Sequence, residues 1–216
     1  MSRFRLIRDE EGYGLSDSFV AMKPLRIRFD SPAYLRRLAA AGRRSELVAR
    51  AVGVKPGLSV LDCTAGLGRD GFLLAHLGCE VTLIERSKVL ATLLADGLAR
   101  AAQHPRLSAT VSRVTVQQAD SIAMLRQTEV AADVIYLDPM FPRKQGSAAV
   151  KGEMQALQNF IGTDQDAQSL LLAARRQAGR RIVLKRPAAG IWQPPAAPIH
   201  VFAQRNACYE IYPAAS

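Results

Sequence analysis

Between residues 58 and 138 the chain alternates short apolar runs with helical patterns, and that alternation constrains the fold more than any other feature. LSVLDC (58–63), CEVTLIE (79–85), VTVQQ (114–118) and DVIYLD (133–138) are compact, rich in β-branched residues, and end at or beside acidic or polar positions. RDGFLLAHLG and SKVLATLLADGLARAAQ, lying between them, carry leucine and alanine at helical spacing. Strand-helix alternation of this kind builds βαβ units on a parallel sheet. Downstream, DAQSLLLAARRQAG reads as a helix and RRIVLKRP as a further strand, whereas IHVFAQRNACYEIYP reads as two extended runs reversing at Gln204–Asn206, an antiparallel hairpin. Upstream, PLRIRFD reads as a strand and 33–52 as an amphipathic helical region. The expected fold is α/β: a mostly parallel, doubly wound Rossmann-like sheet with a C-terminal antiparallel hairpin. An N-terminal extension over 1–42 is expected to precede a Rossmann-like domain over 43–216.

A chain of 216 residues can bury a core without disulfides or metal. Cys63, Cys79 and Cys208 lie far apart and lack CxxC or Cys/His spacing, so they read as buried thiols, with no metal site expected. No segment approaches the roughly 18 apolar residues of a membrane span, and a cytoplasmic location is expected. The formal charge of +10 is unevenly placed: residues 1–50 carry +5, 51–140 carry −1 and 141–216 carry +6. A neutral centre between basic flanks suits a polyanion held from two sides, although a solvated surface would give the same count.

The first strand runs into Asp62-Cys63-Thr64-Ala65-Gly66-Leu67-Gly68-Arg69-Asp70-Gly71, and Gly66, Gly68 and Gly71 satisfy GxGxxG literally. With Glu85 19 residues beyond Gly66, this is the dinucleotide pattern, so an oxidoreductase using such a cofactor has to be considered. The loop charges oppose that reading. A pyrophosphate sits on a helix N-terminus, and here Asp62 and Asp70 flank that position and would weaken the attraction. S-adenosylmethionine, with ribose hydroxyls, a sulfonium, an amino group and no phosphate, fits the same acids. Asp62, Asp70, Glu85, Asp120 and Asp138 all fall at or just after strand ends, the edge where open α/β sheets bind ligands.

The fourth strand ends in Asp138-Pro139-Met140-Phe141-Pro142. An exocyclic amine on a base has its lone pair delocalised into the ring. The Asp138 carboxylate and the Pro139 carbonyl can accept its hydrogens and turn the lone pair toward a methyl donor, while Phe141 offers a stacking face. The run resembles the Asp/Asn-Pro-Pro-aromatic signature of methyltransferases acting on base amines, with Met140 in place of the second proline.

Together with Glu85-Arg86, Lys144-Gln145, Lys151 and Val183-Leu184-Lys185-Arg186-Pro187, the TAGLGRD and DPMFP runs resemble the bacterial ribosomal RNA small subunit methyltransferase J family over roughly residues 43–212. That resemblance implies a class I S-adenosylmethionine-dependent enzyme methylating the exocyclic N2 amine of a guanine in 16S ribosomal RNA of the small subunit. It also implies cofactor contacts at Arg69-Asp70, Glu85-Arg86, Asp120-Ser121 and Asp138. Asp120-Ser121 departs from the family, which often has two small hydroxyl residues there. RNA backbone contacts are expected from Lys144, Lys151, Lys185 and Arg186, with some of Arg36, Arg37, Arg43 and Arg44. A non-catalytic RNA-binding module is the remaining alternative.

Overall fold

The computed structural model describes residues 3–19, 23–141, 160–161, 166–177, 181–188 and 192–214. Nine strands are present among them: β1 (Phe4–Asp9), β2 (Gly12–Asp17), β3 (Ser59–Asp62), β4 (Glu80–Glu85), β5 (Val114–Gln118), β6 (Val134–Leu137), β7 (Arg181–Pro187), β8 (His200–Ala203) and β9 (Ala207–Tyr212). The helices are α1 (Pro32–Ala40), α2 (Leu47–Val52), α3 (Arg69–His76), α4 (Lys88–Ala102), α5 (Ser108–Val111), α6 (Ser121–Gln127) and α7 (Ala167–Arg175). None of the described helices is long and apolar enough to cross a membrane.

Seven strands form one sheet in the order β5-β4-β3-β6-β7-β9-β8. The first five are parallel, and β9 runs antiparallel to both β7 and β8. The expected parallel sheet and terminal hairpin are both present, with the reversal at Gln204–Asn206. The chain steps outward from β3 to β4 and β5, and the connection after β5 then returns to place β6 on the other side of β3, so the strand order reverses there. The resulting crevice lies beyond the C-terminal ends of β3 and β6, where Asp62 and Asp138 sit.

Both faces of the sheet are covered, and strand alternation sorts its residues between two apolar clusters. Val60, Leu83, Val134, Tyr136 and Val183 face one cluster, built with α2, α3 and α4. Leu61, Ile84, Ile135, Leu137, Ile182 and Leu184 face the other, built with α6 and α7. Helix α4 starts where the Ser87 hydroxyl accepts the Leu90 N–H, and it buries Leu90, Leu93, Leu94 and Leu98 on its inner side. Each such leucine contributes about 1.5–3 kcal/mol by leaving water, so this face anchors the helix.

The N-terminal region differs in detail from the expectation. Residues 24–30 form a single bridge, Leu15 to Leu25, instead of a strand. Leu25, Ile27 and Phe29 are nevertheless buried at alternate positions, because the extended segment lies across the first cluster with no neighbouring strand to build a ladder. It crosses α4 so closely that a Cβ at Gly97 would stand 2.8 Å from the Ile27 carbonyl oxygen. The helical region 33–52 is two helices broken at 41–46. The β1–β2 hairpin was not anticipated. Leu15, Leu25, Phe29, Tyr34 and Leu38, all within 1–42, share one cluster with Leu73 of α3.

Candidate active site

The turn from β3 into α3 is fixed by hydrogen bonds from its own acids. Asp62 Oδ1 accepts the Thr64 N–H at 3.0 Å. Glu85, at the end of the neighbouring strand β4, accepts the Gly66 N–H at 3.0 Å through Oε2 and the Ser87 N–H at 2.7 Å through Oε1. Gly66 and Gly68 have φ of 52° and 68°, in the left-handed region that only glycine enters without strain. The two glycines differ in what they serve. Gly66 lines the cavity, whereas Gly68 faces the core, where a Cβ would lie 2.6 Å from Leu94 Cδ2 and 3.3 Å from the Phe29 ring. Gly71 is also a packing glycine, since its Cβ would stand 2.4 Å from Leu83 Cδ2.

Across the crevice, the Asp138 N–H donates to Thr64 Oγ1 at 2.6 Å, tying the end of β6 to the glycine turn. Lys185 of β7 places its Nζ 2.7 Å from Asp70 Oδ2 and 2.8 Å from Asp138 Oδ2. The Tyr136 hydroxyl donates to the same Asp70 oxygen at 2.8 Å, and Arg37 of α1 lies 3.5 Å from Asp70 Oδ1. Burial by itself would raise the pKa of Asp70, but Lys185, Tyr136 and Arg37 hold it below the usual carboxylate range. Burial would likewise lower Lys185, and Asp70 and Asp138 overcome this and raise it, so the ammonium stays charged. Asp62 contrasts with both: burial, with Asp70 and Asp138 adding repulsion against a partly opposing Thr64 hydrogen bond, pushes it up to about 8. At pH 7 the group accordingly favours its neutral form.

These groups line a cavity of about 470 Å3 at the sheet's switch point. Of the residues anticipated from sequence, Asp62, Gly66, Arg69, Asp70, Glu85, Arg86, Asp120, Ser121, Asp138, Pro139 and Phe141 all border it. Several are also committed locally. Asp120 caps α6 by accepting the Ala123 N–H at 2.8 Å. The Ser121 hydroxyl donates to the Cys63 carbonyl at 2.7 Å, and Arg86 pairs with Asp166 at 2.9 Å. Phe141 is 7% exposed, with its ring edge-on to Trp192 at 5.0 Å.

Lys185 and Arg186 border the cavity too, but both meet carboxylates of the chain itself. Arg186 donates to the buried Glu210 at 2.7 Å. Lys144 and Lys151 lie outside the described residues. Tyr136 and Thr64 were missed as site residues. An inward-facing tyrosine at the end of an otherwise aliphatic buried strand was the available signal for the first.

The cavity suits the cofactor expected from the loop. Its volume falls in the range of small-molecule sites, and its ligand-facing acids come from three strand ends. Glu85 places a carboxylate on the cavity wall at the end of β4, the group type that accepts from ribose hydroxyls. Among the described residues, no cluster of His, Cys, Asp and Glu could hold a metal ion.

Sheet order, glycine turn and acidic strand ends together define a class I S-adenosylmethionine-dependent methyltransferase, with S-adenosylmethionine as its cofactor. The family model described as "Putative SAM-dependent methyltransferase" matches residues 2–214. Ribosomal RNA small subunit methyltransferase J of Aeromonas salmonicida is 50% identical over 169 residues, 77% of this chain and 68% of that protein. Its namesake in Thioalkalivibrio sulfidiphilus is 48% identical over 185 residues, 82% and 72% of the two chains. Among solved structures, a SAM-dependent methyltransferase from Neisseria gonorrhoeae is 30% identical, with a TM-score of 0.76 over 97% of this chain and 82% of its own. The chain belongs to the ribosomal RNA small subunit methyltransferase J family. The dinucleotide oxidoreductase reading falls with that membership.

Proposed function

We propose that this enzyme methylates the exocyclic N2 amine of a guanine in 16S ribosomal RNA of the small subunit. The observation that carries the reading is the placement of Asp138 at the end of β6, across the switch point from the glycine turn, in the chain of a family whose named relatives act on small-subunit ribosomal RNA. When bound, the cofactor supplies an electrophilic methyl group on a sulfonium. Glu85 would accept from its ribose hydroxyls, Gly66 would let the backbone come close, and Asp120 and Ser121 would hold the adenine. Arg69, Asp70 and Arg86 would complete that side, and Asp62 would offer a carboxyl beside the cofactor's ammonium.

The Asp138 carboxylate and the Pro139 carbonyl accept the guanine amine hydrogens, which turns the nitrogen lone pair toward the methyl group. As the nitrogen–methyl bond forms, the methyl–sulfonium bond would break and leave a neutral thioether, so the positive charge would pass to the nitrogen until its proton departs to water, and the surrounding carboxylates would stabilise that charge. A base cannot reach this crevice from within a helix, so the guanine is presented unpaired or flipped out. Phosphates beside it would meet exposed cations of the basic flanks, among them Arg36, Arg43 and Arg44, together with Lys144 and Lys151.

Transfer of tritiated methyl groups to naked 16S RNA and to undermethylated small subunits, followed by nucleoside analysis, tests the reading. N2-methylguanosine is the expected product, and Asp138→Ala should reduce transfer to background with the melting temperature preserved. Label in another nucleoside would remove the guanine assignment, and normal transfer by Asp138→Ala would remove the role of Asp138.

A further inference from the structure

We infer that Lys185 is a positioning residue that ties the cofactor side of the site to the acceptor side, instead of a contact to RNA phosphate. The inference deepens the function proposed above and rests on it. Asp70 belongs to the first turn of α3, directly after the glycine turn, and therefore moves with the cofactor side. Asp138 directly follows β6 and, in the function proposed, accepts from the amine. These two carboxylates come from different elements, and a single ammonium lies 2.7 Å from one and 2.8 Å from the other.

The bridge has fixed footings. Asp70 is held from a second direction by the Tyr136 hydroxyl at 2.8 Å and from a third by Arg37 at 3.5 Å, while the Asp138 backbone is fastened to Thr64 at 2.6 Å. Moving Asp138 relative to the cofactor turn would break one of two charge-assisted hydrogen bonds. Methyl transfer needs donor and acceptor aligned within a fraction of an ångström, and a misplacement of about 1 Å can cost on the order of 100-fold in rate.

The same geometry argues against a phosphate at Lys185. A phosphate approaching the ammonium would also approach the Asp70 and Asp138 carboxylates that already engage it, and both would repel it. Strand alternation separates Lys185 from its neighbour: Arg186 points to the opposite face, where Glu210 holds it.

Steady-state methyl transfer to small subunits by wild type, Lys185→Met and Lys185→Arg separates the two roles. A positioning role predicts that Lys185→Met lowers kcat by on the order of 100-fold, with KM for the subunit and affinity for S-adenosylhomocysteine within about two-fold and the salt dependence of RNA binding unchanged. Lys185→Arg, which keeps the charge, should recover part of kcat. A phosphate contact would instead raise KM, leave kcat intact and reduce the slope of log affinity against log salt by about 1; that result, or wild-type kcat in Lys185→Met, overturns the inference. If Lys185→Met melts below the assay temperature because Asp70 is left unpaired, Asp70→Asn/Lys185→Met removes that charge. Low kcat in the folded double variant upholds the bridge, and restored kcat refutes it. Wild-type transfer in the same experiment checks the substrate separately, since its absence removes the RNA reading whatever the variants do.

Discussion

Replacing Gly68 by alanine tests whether this glycine serves the ligand or the core. Its φ of 68° costs an alanine about 1–2 kcal/mol in the left-handed region. The new Cβ would stand 2.6 Å from Leu94 Cδ2, and overpacking of this kind costs about 1–3 kcal/mol. No helix-propensity gain offsets these costs, because the residue is the N-cap of α3 and not part of its interior. The two terms together make roughly 3.5 kcal/mol at mid-range, a loss of about 10 °C in melting temperature for a chain of this size. Leu94→Ala separates the terms. Alone it should cost about 2–5 kcal/mol, but in Gly68→Ala/Leu94→Ala the crowding disappears and only the backbone strain remains. The double variant should thus be about 1–3 kcal/mol more stable than the sum of the singles. Urea unfolding followed by circular dichroism measures all four proteins. A Gly68→Ala chain with wild-type stability, or strict additivity in the cycle, refutes the packing role and returns Gly68 to the ligand.

Two further perturbations address buried charge. Burial raises Asp62 to about 8, so the folded chain holds a proton that the unfolded chain releases near pH 4. Its contribution to stability is fully present below about pH 4 and is lost as pH rises through about 8; melting curves from pH 5 to 9 without cofactor should fall less steeply for Asp62→Asn, and parallel curves would contradict the assignment. Arg186→Met strands Glu210, which is 2% exposed and otherwise held by the Tyr212 hydroxyl at 2.5 Å. A loss of about 3 kcal/mol is expected, at the low end for a broken buried pair because the guanidinium is partly exposed. Arg186→Met/Glu210→Gln should regain most of that loss by thermal melting, and an unaltered melting point in Arg186→Met would show that the pair contributes nothing.

Local signals carried much of the fold and of the cofactor side. The runs ending at Asp62, Glu85 and Asp138 announced themselves because strand, turn and acid are contiguous in the chain, and the hairpin because its reversal at Gln204–Asn206 is short. The segment 24–30 was misread because burial at alternate positions also describes an extended chain crossing a helix, and only the sheet topology tells whether a partner strand is present. Lys185 and Arg186 were read together as adjacent cations. The period of two along β7 sends them to opposite faces, but their partners, Asp70 and Glu210, are 115 and 24 residues away and no local pattern names them. Gly68 and Gly71 matched a ligand fingerprint in sequence, while the space around them is filled by Leu94 and Leu83.

The charge map changes meaning once the partners are known. The basic flanks do not lie wholly outside the acidic centre: Arg37 from one and Lys185 from the other reach into it and compensate Asp70 and Asp138. Arg3, Arg26 and Arg186 are likewise paired with Asp17, Asp9 and Glu210. The positive charge left for a polyanion is accordingly smaller than +10 suggests, because these cations are already paired within the chain. An enzyme that must bind phosphates and also shelter a cationic methyl donor needs this separation. A cation left unpaired in the crevice would repel the donor, and a carboxylate left bare at the rim would repel the RNA.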